Sequence, residues 1–158
     1  MKDQDPGDTA RTIIDSNMYM VLGTADDTGQ PWVSPVYYAS AHYREFYWVS
    51  SPEVRHSRNI ILRPQISIVI FDSRAPIGTG QAVYMSAIAQ SLINADLDRG
   101  IAIFSETSLK HGGREWTKGD VGPSSLYRLF RATVLEHWIL DPAGRPDHRM
   151  PVTFSSTE

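Results

Sequence analysis

Three strand-like segments follow one another near the start of the chain, joined by short polar turns. They span residues 18–25, 31–40 and 45–50 and are rich in the β-branched and aromatic residues that strands favour. The turn at residues 26–30 contains Gly29, which can adopt a positive φ. Consecutive strands with such short connections pair antiparallel. This arrangement predicts a fold built on an antiparallel sheet.

Later segments extend the prediction to six strands and three helices, in the order α-β-β-β-α-β-β-α-β. The further strands are predicted at residues 65–72, 81–92 and 126–140. The helices are predicted near the N-terminus with Asp8 or Thr9 as cap, from the Ser50–Glu53 capping sequence to Leu62, and from Asn94. Six strands with only three helices predict a small, mostly-β barrel with peripheral helices.

Two strands carry more specific expectations. Pro35 lies inside the second strand and cannot donate a ladder hydrogen bond, so that strand is predicted at a sheet edge or at a bulge. In the last strand, apolar residues alternate with polar ones, which predicts that each set shares one face. The apolar set is Phe130, Ala132, Val134 and Trp138, and the polar set is Arg131, Thr133 and His137.

The length of 158 residues fits a single domain. We expect this domain to occupy residues 1–140. Residues 141–158 are polar and contain several prolines, so they are predicted to form a partly disordered tail.

Composition excludes several classes of function. With 15 basic and 18 acidic side chains and no basic stripe, the chain lacks the pattern of a nucleic-acid binder. The absence of cysteine rules out disulfides, thiolate metal sites and a cysteine nucleophile. The five histidines show no paired ligand spacing, so no metal site is predicted. A polar N-terminus and the lack of an apolar run of about 20 residues predict a cytoplasmic protein without membrane contact.

The segment from Ser50 to Asn59 concentrates polar and cationic side chains at a predicted helix start. Helix N-termini present free N–H groups and a partial positive charge, and they bind phosphate readily. Cations there oppose the helix dipole, which favours a compensating anion. The alternative is a solvent-exposed helix face with a capped start and no ligand.

The order of elements and several motifs resemble the flavin-binding split β-barrel of the pyridoxamine 5′-phosphate oxidase-like superfamily. The similarity extends from Met18 to Leu140. The stretches that carry it are Gly29–Val36 (GQPWVSPV), Phe46–Ser51 (FYWVSS), the Arg55-His56-x-x-Asn59 helix, residues 63–72 and residues 80–84. The resemblance implies a six-stranded, antiparallel, Greek-key-like split barrel.

The resemblance also implies FMN as cofactor, held between the subunits of a homodimer. In such proteins the strand matching Ser34-Pro35-Val36 passes under the flavin ring, and the basic pair matching Arg55 and His56 reaches the 5′-phosphate. The implied cofactor-binding residues are Ser34, Pro35, Val36, Ser50, Ser51, Arg55, His56, Arg58, Asn59 and Gln81. Trp116, in the loop from Lys110 to Ser125, is the candidate for a lid over the substrate.

Departures from the family pattern bear on the reaction. Oxidases carry arginine and lysine at the strand positions occupied here by Ser34 and Ala39. We therefore expect a flavin-dependent oxidoreductase acting on a small molecule other than pyridoxamine phosphate, with no side chain assigned as acid or base. Two alternatives stay open: a deazaflavin-dependent reductase on the same barrel, and a non-enzymatic flavin or haem binder.

Overall fold

The computed structural model of the chain describes residues 4–146 and 148–154. Within them lie helices α1 (Pro6–Ser16), α2 (Arg55–Leu62) and α3 (Asn94–Lys110), and a 3-10 helix at Lys118–Val121. The strands are β1 (Tyr19–Ala25), β2 (Pro31–Tyr37), β3 (Ala39–Ala41), β4 (Glu45–Ser50), β5 (Gln65–Phe71), β6 (Ala82–Ser91), β7 (Arg128–Leu140) and β8 (Arg149–Val152). No helix in this part of the chain is long and apolar enough to cross a membrane.

The strands form one antiparallel sheet in the order β2-β1-β5-β6-β7-β4-β3, with β8 added to β7. β7 pairs with β4 over residues 128–133, with β6 over residues 130–139 and with β8 over residues 137–140. These shared pairings curl the sheet into a half-barrel. The predicted mostly-β split-barrel class is confirmed.

The curled sheet separates two apolar clusters, and β4 contributes to both. Trp48 lies in the larger cluster inside the barrel, where its ring stacks on Phe130 at a centroid distance of 5.5 Å. Its neighbour Tyr47 points the opposite way, into the cluster beneath α3. Because successive strand residues face opposite sides, β4 is buried on both faces. This double burial fixes α3 against the outside of the barrel.

The described residues contain eight strands, whereas six were predicted. The segment at 31–40 divides at Tyr38, whose hydroxyl donates to the Ile14 carbonyl at 2.6 Å; β2 pairs with β1, and β3 pairs with β4. The tail from residue 141 also contains β8, so the sheet continues beyond the expected domain end at residue 140. The reason is packing: Val152 is buried in the barrel cluster and Met150 packs against it.

The prediction of which β7 side chains share one face is wrong at the C-terminal end of the strand. The register against β6 shifts between Ser86 and Ala87, so that Glu136 pairs with Ser86 and Val134 with Ala87. The extra residue, Leu135, reverses the alternation that follows it. His137 is therefore buried in place of Trp138, which is half-buried.

The helix starts also differ from their predicted positions. α2 begins at Arg55 with Val54 as N-cap and no side-chain cap, so the capping box expected at Ser50–Glu53 is wrong. Ser51 Oγ instead accepts the Glu53 amide at 3.2 Å within a turn. α1 begins at Pro6 after Asp5, and α3 has Ile93 rather than Asn94 as its cap.

Candidate functional site

A cavity of about 720 Å³ lies where β2, the end of β4, α2 and the C-terminal end of α3 meet. Pockets for small molecules and cofactors commonly measure about 300–1,000 Å³. Its lining includes five of the residues predicted from sequence: Pro35, Val36, Ser50, His56 and Trp116. We refer to it as the site cavity.

One wall of the site cavity is β2, an edge strand. β2 pairs only with β1 within the described residues, so its outer backbone edge has no strand partner there. The prediction that Pro35 marks an edge strand is confirmed, since its missing N–H costs no ladder bond on the outer side. The outer edge leaves backbone N–H and C=O groups available to the polar rim of a planar ligand.

The N-terminus of α2 lies at one end of the site cavity. Because no side chain caps this helix, the amides of its first turn are free of side-chain partners. His56 Nε2 is 2.9 Å from Ser50 Oγ, and burial lowers the pKa of His56 below its usual value. His56 is therefore neutral near pH 7. Arg55 is exposed, with its guanidinium carbon 4.3 Å from the centre of the Trp32 ring.

Aromatic side chains form the opposite wall. Each ring meets the next edge to face, with centroid distances of 5.7, 5.7 and 6.2 Å along the series Tyr37, Phe104, Trp116 and Tyr127. We call these four residues the aromatic wall. Edge-to-face contacts of this kind favour fixed ring orientations. Because neighbouring rings are inclined to each other by 73–81°, the wall presents a corrugated aromatic surface to the cavity.

The loop after α3 is anchored by polar contacts, which hold Trp116 in this wall. The Trp116 amide donates to Ser105 Oγ at 2.9 Å. Arg114 lies over the Trp116 ring at 3.7 Å and pairs with Asp120 at 3.4 Å. The 3-10 helix at Lys118–Val121 orders the middle of the loop. Trp116 thus reaches the site cavity from its own chain.

The sequence reasoning missed a second polar pair, Tyr37 and His111. The Tyr37 hydroxyl is 2.7 Å from His111 Nδ1, and both residues line the site cavity. Burial, followed by the nearby Tyr19, raises the pKa of Tyr37, so its phenol stays protonated near pH 7. These residues are 74 positions apart. No local motif could have joined them.

Several predicted cofactor residues lie outside the cavity lining. Gln81 bonds with both of its amide atoms to the Leu140 backbone, at 2.8 and 3.1 Å, and is occupied there. Asn59 is buried and donates to Thr24 Oγ1 at 3.0 Å. The remaining four lie near the cavity without lining it: Ser34 half-buried in β2, Ser51 in the turn before α2, and Arg55 and Arg58 exposed on α2.

The donor set fits a flavin mononucleotide in its chemistry. A phosphate is matched by the uncapped first turn of α2 together with Arg55 and Ser50. A planar ring with a polar rim is matched by the aromatic wall and the free edge of β2. Metal binding has no such match: the described residues contain no cluster of three or more histidine, aspartate or glutamate side chains suited to a metal ion.

Comparison with known proteins places the site in a family context. The sequence profile described as "Pyridoxamine 5'-phosphate oxidase" matches residues 7–118. None of the curated proteins matches the sequence.

Three solved structures illustrate the likeness of fold. A heme binding protein from Mycobacterium smegmatis has a TM-score of 0.72 at 20% identity; the match covers 97% of this chain but only 60% of that protein. An FAD-binding protein from Mesorhizobium loti has a TM-score of 0.64 at 20% identity over 83% of this chain and 89% of its own. An F420 reductase has a TM-score of 0.58 at 12% identity over 80% and 94%. At such identities these likenesses concern the fold alone.

Proposed function

We propose that this chain, which belongs to the pyridoxamine 5′-phosphate oxidase family, binds FMN in the site cavity and acts as a flavin-dependent oxidoreductase on a small molecule. The observation that carries the proposal is the uncapped N-terminus of α2, with Arg55 and His56 as its first residues, at the end of an apolar cavity. A phosphate at one end of a planar ring system suits this division into polar and apolar parts. The proposal keeps the cytoplasmic location predicted from the sequence.

Each part of the cofactor has a partner in this arrangement. The first-turn amides of α2, the Arg55 guanidinium and the hydroxyls of Ser50 and Ser51 would hold the phosphate. The Arg55 side chain is already oriented by Trp32, which reduces the entropy lost on binding. Pro35 and Val36 would contact the ring, and the free edge of β2 would meet its polar rim. The flavin would supply hydride or electron transfer, and the protein would supply its position and surroundings.

We propose a neutral substrate, because few charged side chains at the site cavity are free to pair with a charged one. Arg114 is paired with Asp120 and stacked on Trp116, and burial keeps His56 neutral. Among the described residues, no carboxylate lines the site cavity. Pyridoxamine phosphate would bring a second phosphate and call for convergent arginine or lysine donors. Ser34 and Ala39 supply no such charge, so we propose that it is not the substrate.

A homodimer belongs to the same proposal. A second cavity of about 490 Å³ lies on the sheet, lined mainly by apolar residues that include Val21, Val33 and Val69. Val33 is 68% exposed although it is a large apolar side chain on a strand. A second copy of this chain would bury such a face, and obligate interfaces bury about 2,000 Å² or more. Val33→Asp should convert the dimer into monomer in light scattering, while Leu135→Asp, at another exposed apolar site, should not.

Haem is the second candidate. His111 lines the site cavity, and its Nε2 makes no hydrogen bond to another described residue, so that atom is available to a metal. The Mycobacterium smegmatis protein of similar fold is described as heme binding. Neutral imidazole is a common ligand of haem iron.

An absorption spectrum of the purified protein, followed by titration with FMN, deazaflavin and haemin, tests the proposal. We expect a flavin spectrum and tight, saturable FMN binding. A Soret band that His111→Ala abolishes would favour haem, and preference for the deazaflavin would favour the reductase alternative. Anaerobic mixing of the FMN-loaded protein with pyridoxamine phosphate should leave the flavin oxidised. Rapid bleaching would refute the argument from Ser34 and Ala39.

A further inference from the structure

The Tyr37–His111 pair lies between two cavities of different character. On one side is the site cavity, to which both residues contribute. On the other is a polar cavity of about 190 Å³ whose lining includes His111, Asp15 and Ser40. His111 borders both, while Tyr37 borders only the site cavity. The pair therefore links the apolar site to a separate polar space.

The two residues of the pair differ in their exposure to solvent. Tyr37 is half-buried and its ring is held by Phe104 and by Tyr19, whose ring centroid is 6.1 Å away. His111 is exposed and follows the last turn of α3, where its own amide bonds to the Thr107 and Ser108 carbonyls. Water reaches the histidine, whereas the phenol faces the cavity. This is the arrangement of a donor and the group that recharges it.

We propose that Tyr37 is the proton donor of the reaction, that His111 returns the proton to it from solvent, and that the substrate is a neutral, planar compound with a conjugated carbonyl group. The inference rests on the proposed flavin-dependent function. A conjugated substrate can pack against a ring of the aromatic wall. A carbonyl oxygen can accept a hydrogen bond from the phenol, and no paired cation is required for it.

The step balances in atoms and electrons. Reduced FMN, when bound, would supply a hydride and would be left as oxidised FMN. A C–H bond would form at the carbon conjugated with the carbonyl, the displaced electron pair would shift to the oxygen, and the oxygen would take the proton of Tyr37 Oη to give an enol. The His111 Nδ1 proton would then pass to the Tyr37 oxygen while Nε2 takes a proton from water, which leaves hydroxide in solvent.

Other titratable groups surround the pair. Tyr19 faces Tyr37 from β1, Asp15 of α1 shares the polar cavity with His111, and Arg114 lines the site cavity from the loop after α3. The Asp15 carboxylate also accepts a hydrogen bond from the Tyr43 hydroxyl at 2.9 Å. Arg114 is already paired with Asp120.

The first test needs no cofactor and measures the ionisation of a bound probe. 4-Nitrophenol is planar, and its coloured phenolate resembles a conjugated oxygen that gains negative charge. If Tyr37 donates to that oxygen, the apparent pKa of the bound probe should fall by about one unit, a tenfold preference for the phenolate. Tyr37→Phe should abolish the shift, His111→Gln should reduce it, and Tyr84→Phe, which removes a hydroxyl outside the site cavity, should keep it.

The second test uses the FMN-loaded protein reduced with dithionite and mixed anaerobically with 2-cyclohexenone. Tyr37→Phe should slow flavin reoxidation about 100-fold or more. His111→Gln should affect this single reoxidation less than it slows repeated turnover, because the phenol is recharged only after it has given up its proton. FMN affinity is measured for both variants, so that a loss of bound flavin is not mistaken for a loss of proton transfer.

The outcomes separate this inference from the proposed function. Failure of the wild-type protein to bind FMN would overturn the proposed function, while the probe experiment would still report on Tyr37. Failure to bind 4-nitrophenol, or an equal pKa shift in Tyr37→Phe and wild type, would overturn the proton-donor assignment. A shift that depends on His56 instead would transfer the role to the His56–Ser50 pair. A structural role for Tyr37 would change thermal stability without changing the ionisation of the probe.

Discussion

Replacing Arg55 with alanine tests whether α2 begins at a phosphate. Arg55 is the first residue of the helix and is exposed, and its guanidinium stacks on Trp32 at 4.3 Å. Loss of that stacking should cost the fold only about 0.5–1 kcal/mol, the usual value for exposed cation–π pairs. The effect on the ligand should be larger, because a hydrogen bond to a charged group contributes about 1.5–3 kcal/mol.

These energies translate into a difference that can be measured. Arg55→Ala should weaken FMN binding roughly 10- to 150-fold, at about 1.4 kcal/mol per factor of ten. His56 is neutral, and an ordinary hydrogen bond of about 0.5–1.5 kcal/mol predicts a loss of roughly 2- to 13-fold in His56→Ala. The two side chains are adjacent, so their effects need not add in the double variant.

The assay is the quenching of FMN fluorescence on titration with protein, with thermal unfolding followed in parallel. Arg74→Ala is the matched control, since Arg74 is exposed at 92% of its side-chain surface and lies outside the site cavity. We expect the control to bind FMN as the wild type does. Equal FMN affinity in Arg55→Ala, His56→Ala and Arg74→Ala would refute the phosphate assignment.

Three further predictions follow from the fold and the site. Gly100→Ala should destabilise the protein by about 1–3 kcal/mol in urea unfolding, partly offset by about 1 kcal/mol of helix propensity, because the added methyl would lie 2.9 Å from Leu92 and Tyr47 side-chain atoms. Unchanged stability would show that α3 can shift freely. Burial acts to raise the pKa of Glu45, but hydrogen bonds from Tyr47 and Arg99 outweigh it and lower that pKa. Its stabilising contribution should be present at neutral pH and lost as the pH falls through the lowered value, and Glu45→Gln should flatten this acid limb. Because burial lowers the pKa of His56, FMN binding near pH 7 should not protonate it, and calorimetry in buffers of different ionisation enthalpy should give the same proton uptake for His56→Ala and the wild type.

The succession of most strands along the chain and the polar residues after β4 were predictable because they depend on short-range patterns. The turn at residues 26–30, the proline in β2 and the hydroxyl and cationic side chains after β4 are all local signals. The start of α2 was not predictable from Ser50–Glu53, since a turn and a capping box use the same residue types. In the structure the Glu53 amide donates to Ser51 Oγ within a turn, and the helix begins only after Val54.

Other features depend on contacts between distant parts of the chain. The bulge at Leu135 arises from pairing with β6, so the alternation within β7 could not reveal that His137 is the buried residue. Gln81 carries an amide group that could bind a ligand, but this group is hydrogen-bonded to the Leu140 backbone. The pairing of Tyr37 with His111 requires the end of α3 to reach β2, which no sequence pattern signals.

The central place of β7 has a consequence for how the protein comes to be made. β4 pairs with residues that lie about 80 positions later, for example Phe46 with Ala132, and β6 pairs with the same strand. Until residues 128–140 leave the ribosome, the edges of β4 and β6 that β7 will cover have no partner. Unpaired edges and pairings between remote residues slow folding and promote association with other chains. A chain interrupted before residue 128 should therefore aggregate, although it already contains every residue of β2 and α2.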